Sequence, residues 1–85
     1  MEVFIASNVC NEKEMINWVY GVYMTKEKCI EGIIQEIMKQ DDEDEGLTYG
    51  DFDGYYKMRT ALFINNITYI DENNYWIISR KTIAQ

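Results

Sequence analysis

Apolar residues follow different spacings along this chain, and each spacing predicts a different element. Two short runs near the start, residues 3–6 and 17–24, are apolar, β-branched and aromatic, which is typical of strands. A polar stretch at residues 8–14 separates them and predicts a loop, so the two runs are expected to pair as a hairpin. Gly21, inside the second run, predicts a bulge or a close packing contact.

The following stretch has the spacing of a helix. Thr25 is a good N-cap residue, and between Lys26 and Gln40 apolar side chains recur three or four positions apart, as in an amphipathic helix. Gly32 in its middle costs about 1 kcal/mol relative to Ala, so we expect it to lie close to the sheet. The apolar stripe consists of Ile30, Ile33, Ile34, Ile37 and Met38.

Three further apolar runs predict strands in the second half of the chain. Asn65 and Asn66 separate the first two runs and form either a tight turn or part of one longer bulged strand. Residues 71–74 predict a clearer turn, and residues 80–85 a frayed tail. The three runs are residues 61–64, 67–70 and 75–79.

These elements predict a single α+β domain over residues 1–85. In the order β-β-α-β-β(-β), one amphipathic helix covers an antiparallel sheet of four or five strands, giving a two-layer sandwich. The uncovered face of the sheet is expected to be rich in Tyr and partly exposed. Eighty-five residues leave no room for a second core.

The net negative charge of the protein arises in one part of the chain. The formal net charge is −7, and residues 41–54, here named the acidic segment, hold seven of the fifteen acids and no base. The other residues balance eight acids with eight bases. A chain of this charge is not expected to bind nucleic acid directly, because such binding needs a Lys and Arg footprint. We expect the acidic segment to be an exposed loop.

Tyr and Phe alternate with acids and glycines in this segment, a composition typical of a binding loop. Carboxylates steer a cationic partner, and aromatic rings add contact area. We therefore expect the segment to bind a protein with a basic groove. The alternative is a loop that serves solubility only. The predicted partner-binding residues are Asp41, Asp42, Glu43, Asp44, Glu45, Tyr49, Asp51, Phe52, Asp53, Tyr55 and Tyr56.

Catalytic and metal-binding motifs are missing from the sequence. Without histidine the commonest general base is lacking, and Cys10 and Cys29 are too few for a thiolate metal site. Residues 41–46 imitate the start of a calcium-binding loop, but the position that requires a bidentate Glu is Phe52. We predict no catalytic site, no metal site and no cofactor.

The sequence also bears on location. It contains no run of 18 apolar residues, and Met1 to Phe4 lack the basic start of a secretory signal. The two cysteines are expected to be free thiols, and free thiols persist in a reducing compartment. We expect a cytoplasmic protein with no membrane contact.

Residues 19–30 carry a resemblance. The sequence Val-Tyr-Gly-Val-Tyr-Met-Thr-Lys-Glu-Lys-Cys-Ile looks like a pattern in small phage and bacterial domains, in which a strand ending in Gly-Val-aromatic meets a capped, Lys/Glu-rich helix. Trp76 takes the place of the late Trp strand in that pattern. The similarity covers residues 3–38 and 75–78. The whole chain is also similar in style to phage-encoded counter-defence proteins, including anti-CRISPR proteins.

The resemblance implies an inhibitor that occupies a nucleic-acid-binding surface of a host enzyme, and it supplies no site residues. A sequence rich in Ile and Asn and free of Pro also suits an AT-rich phage or host genome. The alternative is a structural or housekeeping module that self-associates, as a homodimer for example, through an exposed sheet face or strand edge.

Overall fold

In the computed structural model, residues 1–11, 15–43 and 52–84 are described. They form one antiparallel sheet of four strands and two helices, in the chain order β-β-α-α-β-β. The α+β class is confirmed, whereas the prediction of a single helix is wrong. The elements are β1 (Glu2–Asn11), β2 (Met15–Tyr23), α1 (Lys26–Glu43), α2 (Phe52–Asn65), β3 (Ile67–Asp71) and β4 (Asn74–Thr82). The strands lie in the order β2-β1-β4-β3.

The hairpin of β1 and β2 is confirmed, including its irregularity. Ala6 lies opposite Gly21, but the next residue, Ser7, lies opposite Val19. Tyr20 is therefore one extra residue in β2, which defines a β-bulge next to Gly21. The bulge shifts the alternation of side chains along β2, so that Val19 and Val22 fall on the same face of the sheet.

Strand β1 is longer than the sequence predicts. The expected loop is wrong at residues 8–11, which pair with β2 and β4, and residues 12–14 lie outside the described part of the chain. Asn8 is buried in the strand, where its side-chain amide donates to Asn74 Oδ1 at 2.9 Å and to the carbonyl of Tyr75 at 3.1 Å. Both bonds satisfy a buried polar group, so the strand continues through a polar residue.

Helix α1 begins where the sequence predicts. The hydroxyl of Thr25 accepts a hydrogen bond from the amide of Lys28 at 3.2 Å, which caps the first turn. The four isoleucines of the predicted stripe are buried together with Cys29, whereas Met38 is exposed at the side of the stripe. The helix also extends beyond its predicted end, because the first glycine after Gly32 is Gly46 and no proline interrupts the chain.

Gly32 lies directly under an aromatic ring of the sheet, as the sequence predicts. A Cβ atom on Gly32 would stand 2.3 Å from the hydroxyl oxygen of Tyr23 and 2.7 Å from its Cζ. A Cβ on Gly21 would come within 2.9 Å of the same hydroxyl oxygen. The two glycines together make the space in which the Tyr23 ring lies between β2 and α1.

We expect Gly32→Ala to destabilise the protein by about 1–2 kcal/mol. Overpacking costs about 1–3 kcal/mol, and the better helix propensity of Ala returns up to about 1 kcal/mol. In a Tyr23→Ala background the same change is expected to be neutral or stabilising. Urea unfolding of the four proteins measures both effects, and a stabilising Gly32→Ala in the presence of Tyr23 would contradict this packing.

The predicted strand at residues 61–64 is wrong, because these residues form the end of α2. Four apolar residues in a row do not distinguish a strand from a helix. The structure buries Met58 and Leu62, which are four residues apart, and exposes the adjacent Phe63 and Ile64. That is helical and not alternating burial. The predicted loop is likewise wrong at residues 41–43, which end α1, and at residues 52–54, which begin α2.

Asn66 ends α2 and is not part of a hairpin turn. Its φ of 62° is left-handed, and its amide donates to the carbonyl of Leu62 at 3.0 Å, which is the αL form of helix C-cap. Its own carbonyl accepts from the amide of Ile78 at 2.8 Å. The left-handed asparagine therefore ends the helix and ties it to β4.

The last strand is longer than predicted, so the expected frayed tail is wrong up to residue 82. Thr82 pairs with Glu2 in β1, and the amide of Ile83 donates to the carbonyl of Met1 at 2.7 Å. The turn at residues 71–74 is confirmed, with the Asp71 carboxylate accepting from the amide of Asn73 at 2.7 Å.

Both helices pack on the same face of the sheet. A single core cluster joins side chains of α1, α2, β1 and β4, and Phe4, Tyr23, Tyr55 and Ile70 pack against its border. This is the predicted two-layer arrangement with a second helix added to the helical layer. The buried members of the cluster are Ala6, Cys29, Ile30, Ile33, Ile34, Ile37, Met58, Leu62, Trp76 and Ile78.

Candidate functional site

The other face of the sheet is covered by none of the described elements, and we name it the open face. Its members follow from the strand pairing, because residues directly opposite each other point to the same side. Ile5 lies opposite Val22, and Ser7 lies opposite both Val19 and Ile77. The apolar side chains of the open face are Val3, Ile5, Val9, Val19, Val22, Ile67, Tyr69, Tyr75 and Ile77.

The open face is apolar and almost uncharged. On its two edge strands Val19, Val22 and Tyr69 are 62%, 59% and 60% exposed, whereas Val3, Ser7 and Val9 of the inner strand β1 are buried among their neighbours. The rings of Tyr69 and Tyr75 lie 5.2 Å apart. Lys81, opposite Val3 near one end of the sheet, is the one charged side chain that the strand pairing places there. The prediction of a partly exposed face with tyrosines is close to what the structure shows, although aliphatic residues outnumber the tyrosines.

Some of the predicted partner-binding acids lie in helices that the structure describes, and the others lie outside the described residues. Asp41, Asp42 and Glu43 form the last turn of α1, which contains no basic residue, and Asp53 lies in the first turn of α2. Asp44, Glu45 and Asp51 lie outside the described residues. The structure therefore places one end of the acidic segment on the C-terminal end of a helix.

The predicted aromatic contacts separate in the structure. Tyr55 packs against the core cluster, whereas Tyr56, one residue later in α2, is exposed. Phe52 begins α2, and Tyr49 lies outside the described residues. Of these four aromatic residues, Tyr56 is the one whose side chain the structure shows to be accessible to a partner.

Tyr20, the extra residue of the bulge, connects the sheet to α1. Its ring meets Trp76 edge to face with centroids 5.4 Å apart, and its hydroxyl donates to Glu36 Oε2 at 2.9 Å. This hydrogen bond to a carboxylate, together with partial burial, raises the pKa of Tyr20. The contact orients Tyr20 as a packing residue and gives it no nucleophilic character.

A groove of about 300 Å³ lies between the two helices, lined by apolar surface. Arg59 of α2 crosses it to Glu31 of α1, with 3.1 Å between Nη2 and Oε2. At its end, Lys26 donates to the carbonyl of Phe63 at 2.6 Å and lies 5.4 Å from the centre of the Phe63 ring. These contacts join the helices, and the one hydroxyl among the lining residues, that of Thr60, donates to the carbonyl of Tyr56 at 3.0 Å.

Cys29 is a buried thiol of α1, and Cys10 is a partly buried thiol of β1; both are free. Burial raises the pKa of Cys29 to about 11 from an ordinary value of 9.0, and the charge of nearby Lys26 opposes the shift. At neutral pH the Cys29 thiol is therefore protonated and unreactive, since the thiolate is the nucleophilic form. It serves as a small apolar core residue.

The raised pKa of Cys29 predicts a loss of stability at alkaline pH. Above pH 9 the unfolded chain releases the thiol proton while the folded protein retains it, so stability falls as the pH rises from about 9 to about 11. The expected contribution is on the order of 2 kcal/mol. Thermal melts of wild type and Cys29→Ala across this range measure it.

Tyr20 and Tyr23, whose pKa values are also raised, are present in wild type and in Cys29→Ala. Burial is the main cause of the raised pKa of Tyr23, and the Cys29 thiolate contributes to it, so the comparison measures the thiol together with its effect on Tyr23. Cys10→Ala is the matched control for the removal of a thiol elsewhere in the fold. An equal pH dependence in wild type and Cys29→Ala would contradict the prediction.

In the part of the chain that the structure describes, no three His, Cys, Asp or Glu side chains converge in a group able to hold a metal ion. Within the same residues, no helix has the length and apolarity needed to cross a bilayer. What the described residues do present is surface: an open apolar face and an acidic helix end.

The sequence predicts a partly exposed sheet face as an alternative contact surface, but it does not show which residues form that face. Val19 and Val22 are three residues apart, a spacing that places side chains on opposite faces of a regular strand. Only the extra residue at Tyr20 brings both to one face. Gly21 was the available signal, since it marked the bulge.

Comparisons of the chain with protein-family models, with curated proteins and with solved structures find no match.

Proposed function

We propose that this protein acts by binding another protein, with the acidic segment as its docking element. Its target is a basic, nucleic-acid-binding surface of a host defence enzyme or another nucleic-acid enzyme, and binding blocks that surface. The observation that carries the proposal is the charge distribution: the whole net charge of −7 arises from seven acids within residues 41–53. Carboxylates concentrated in this way take the places of phosphates in a basic groove.

The end of α1 adds to this negative charge. The C-terminal end of a helix carries a partial negative charge from its free carbonyl groups, and acids there typically cost 0.3–1 kcal/mol each. Asp41, Asp42 and Glu43 lie in this last turn without a basic residue. The arrangement is unfavourable for the isolated protein and becomes favourable when a cationic surface binds, so it supports a docking role.

Tyr56 supplies the aromatic contact in this proposal. It is exposed on the second turn of α2, close in sequence to the last acid of the segment, Asp53. A tyrosine contributes apolar area and a hydrogen bond with little loss of side-chain entropy. The acids are expected to control the rate of association, and the ring the lifetime of the complex.

A cytoplasmic setting and a phage origin belong to the same proposal. A reducing compartment keeps Cys10 and Cys29 as the free thiols of this fold. A defence enzyme of a bacterial host offers the basic surface. An inhibitor of this kind needs no catalytic group of its own, because it acts by occupying the surface.

Affinity capture from a lysate of a low-GC bacterium tests the proposal. The bait variants are wild type, a variant with Asn or Gln at all seven acids, and two matched triple variants. One triple variant carries Asp41→Asn, Asp42→Asn and Glu43→Gln; the other carries Glu12→Gln, Glu27→Gln and Glu72→Gln. Both triple variants change the net charge from −7 to −4.

A nucleic-acid enzyme captured by wild type and by the second triple variant, but weakened by the first and lost with all seven acids neutralised, is the expected result. Equal capture by all four proteins, or equal weakening by the two triple variants, would show that the acidic segment is not a docking element.

A further inference from the structure

The open face is a second surface of this protein that is suited to bind a partner. One layer of helices covers the helical face of the sheet, while side chains such as Val19, Val22 and Tyr69 remain about 60% exposed on the other. An apolar surface of a few hundred Å² on a soluble protein is often a binding surface. The acidic segment does not explain it, because the open face carries none of the acids.

We infer that the occupant is a second copy of this chain, so that two open faces pack together in a symmetric dimer. The position of the charges is compatible with this pairing. Two molecules of net charge −7 repel each other least when they meet through a surface free of acids, and the open face has Lys81 as its one charge, near one end. In such a dimer the two-fold axis runs between the two sheets, and no charged side chains meet at the centre of the interface.

The area is also sufficient. Strands lie about 4.8 Å apart and rise about 3.3 Å per residue. Four strands of ten, nine, five and nine residues therefore cover roughly 500 Å² in projection. Two copies whose faces overlap fully bury roughly 1,000 Å², which is the lower bound for a specific interface.

The composition of the face favours a second copy over a different protein. Besides the hydroxyls of Tyr69 and Tyr75, the strand pairing gives it few groups able to form hydrogen bonds, chiefly Ser7, Asn11, Asn17 and Ser79. Homodimer interfaces are more apolar than interfaces between independent proteins, which use polar and charged groups for discrimination. Face-to-face packing of two sheets also buries the tyrosine pair, Tyr69 and Tyr75, as in a β-sandwich.

Analytical ultracentrifugation over a range of about 1–500 µM tests the inference. Wild type is expected to sediment as a dimer of two 10.1 kDa chains at the higher concentrations. Val19→Lys with Val22→Lys, and separately Tyr69→Lys, are expected to weaken dimerisation at least about a hundredfold, because each places lysines in an apolar interface without a partner charge.

Ile64→Lys is the matched control. Ile64 is as exposed as the two valines but lies on α2, so this variant is expected to dimerise like wild type. Circular dichroism and melting temperature verify that each variant is folded, and the substituted sites are exposed enough for the monomer to accept them. The variant neutralised at all seven acids is also expected to remain a dimer, which separates this inference from the proposed function.

A wild type that stays monomeric throughout this range would overturn the inference. A dimer that survives both sets of lysine variants would overturn it as well, because the copies would then pair elsewhere. The free edge of β2, nine residues without a charge or a proline, is the first alternative.

Discussion

Trp76→Ala is expected to destabilise the protein by about 3–5 kcal/mol, the usual cost of removing a buried Trp. Trp76 is 2% exposed and lies at the centre of the sheet's helical face, in β4 between β1 and β3. It belongs to the core cluster with the isoleucines of α1 and Leu62 of α2. Its truncation also removes the edge-to-face contact with Tyr20.

The measurement is thermal unfolding, in which the melting temperature of Trp76→Ala is expected to fall by at least about 12 °C. Trp18→Ala is the matched control, because Trp18 is 48% exposed on β2 and its loss is expected to cost no more than about 1 kcal/mol. Similar losses for the two tryptophans would show that the core does not centre on Trp76.

Association with the target is expected to slow at least tenfold as the salt concentration rises from about 50 to 300 mM. Long-range attraction between the acidic segment and a basic surface raises the association rate by about 10–1,000-fold at low salt, and salt screens it over about 10 Å at 0.1 M. Surface plasmon resonance with the captured enzyme measures this rate.

Neutralising all seven acids is expected to remove this salt dependence together with most of the affinity. Tyr56→Ala, by contrast, is expected to raise the dissociation rate and to leave the salt dependence of association intact. A wild-type association rate that does not change over this salt range would contradict the electrostatic mechanism.

The elements predicted correctly are those with local signals. Thr25 and the spacing of the isoleucines define α1 because a cap and a stripe are read within one segment. The hairpin of β1 and β2 follows from two β-branched, aromatic runs close in sequence. Glycine is unfavourable inside a strand or a helix, which marked Gly21 and Gly32 as special positions. Both lie against the Tyr23 ring, which leaves no room for a Cβ atom.

The second helix was missed because its apolar residues do not form one stripe. Met58 and Leu62 are buried, yet Tyr56, Phe63 and Ile64 are exposed, so the pattern is apolar on several sides and the run at 61–64 resembles a strand. Asn66 added to the wrong prediction of strands, because a left-handed asparagine occurs at a helix C-cap as well as in a tight turn.

The acidic segment was predictable as a candidate site because charge is a property of the sequence. The open face was predictable only as a general expectation, since its membership depends on pairing between distant strands. Val19 and Ile77 are brought together through Ser7 of β1, a relation that no local pattern contains. The bulge at Tyr20 also shifts the alternation of side chains along β2, so the regular two-residue period does not predict which of them share a face.

Competition with duplex DNA shows whether this protein occupies the nucleic-acid-binding surface of the captured enzyme. The captured enzyme is bound to labelled duplex DNA, and this protein is added while the fraction of bound DNA is followed by fluorescence anisotropy. Wild type is expected to displace the DNA, and the variant neutralised at seven acids is not. A ternary complex, in which the enzyme holds DNA and wild-type protein together, would contradict this expectation.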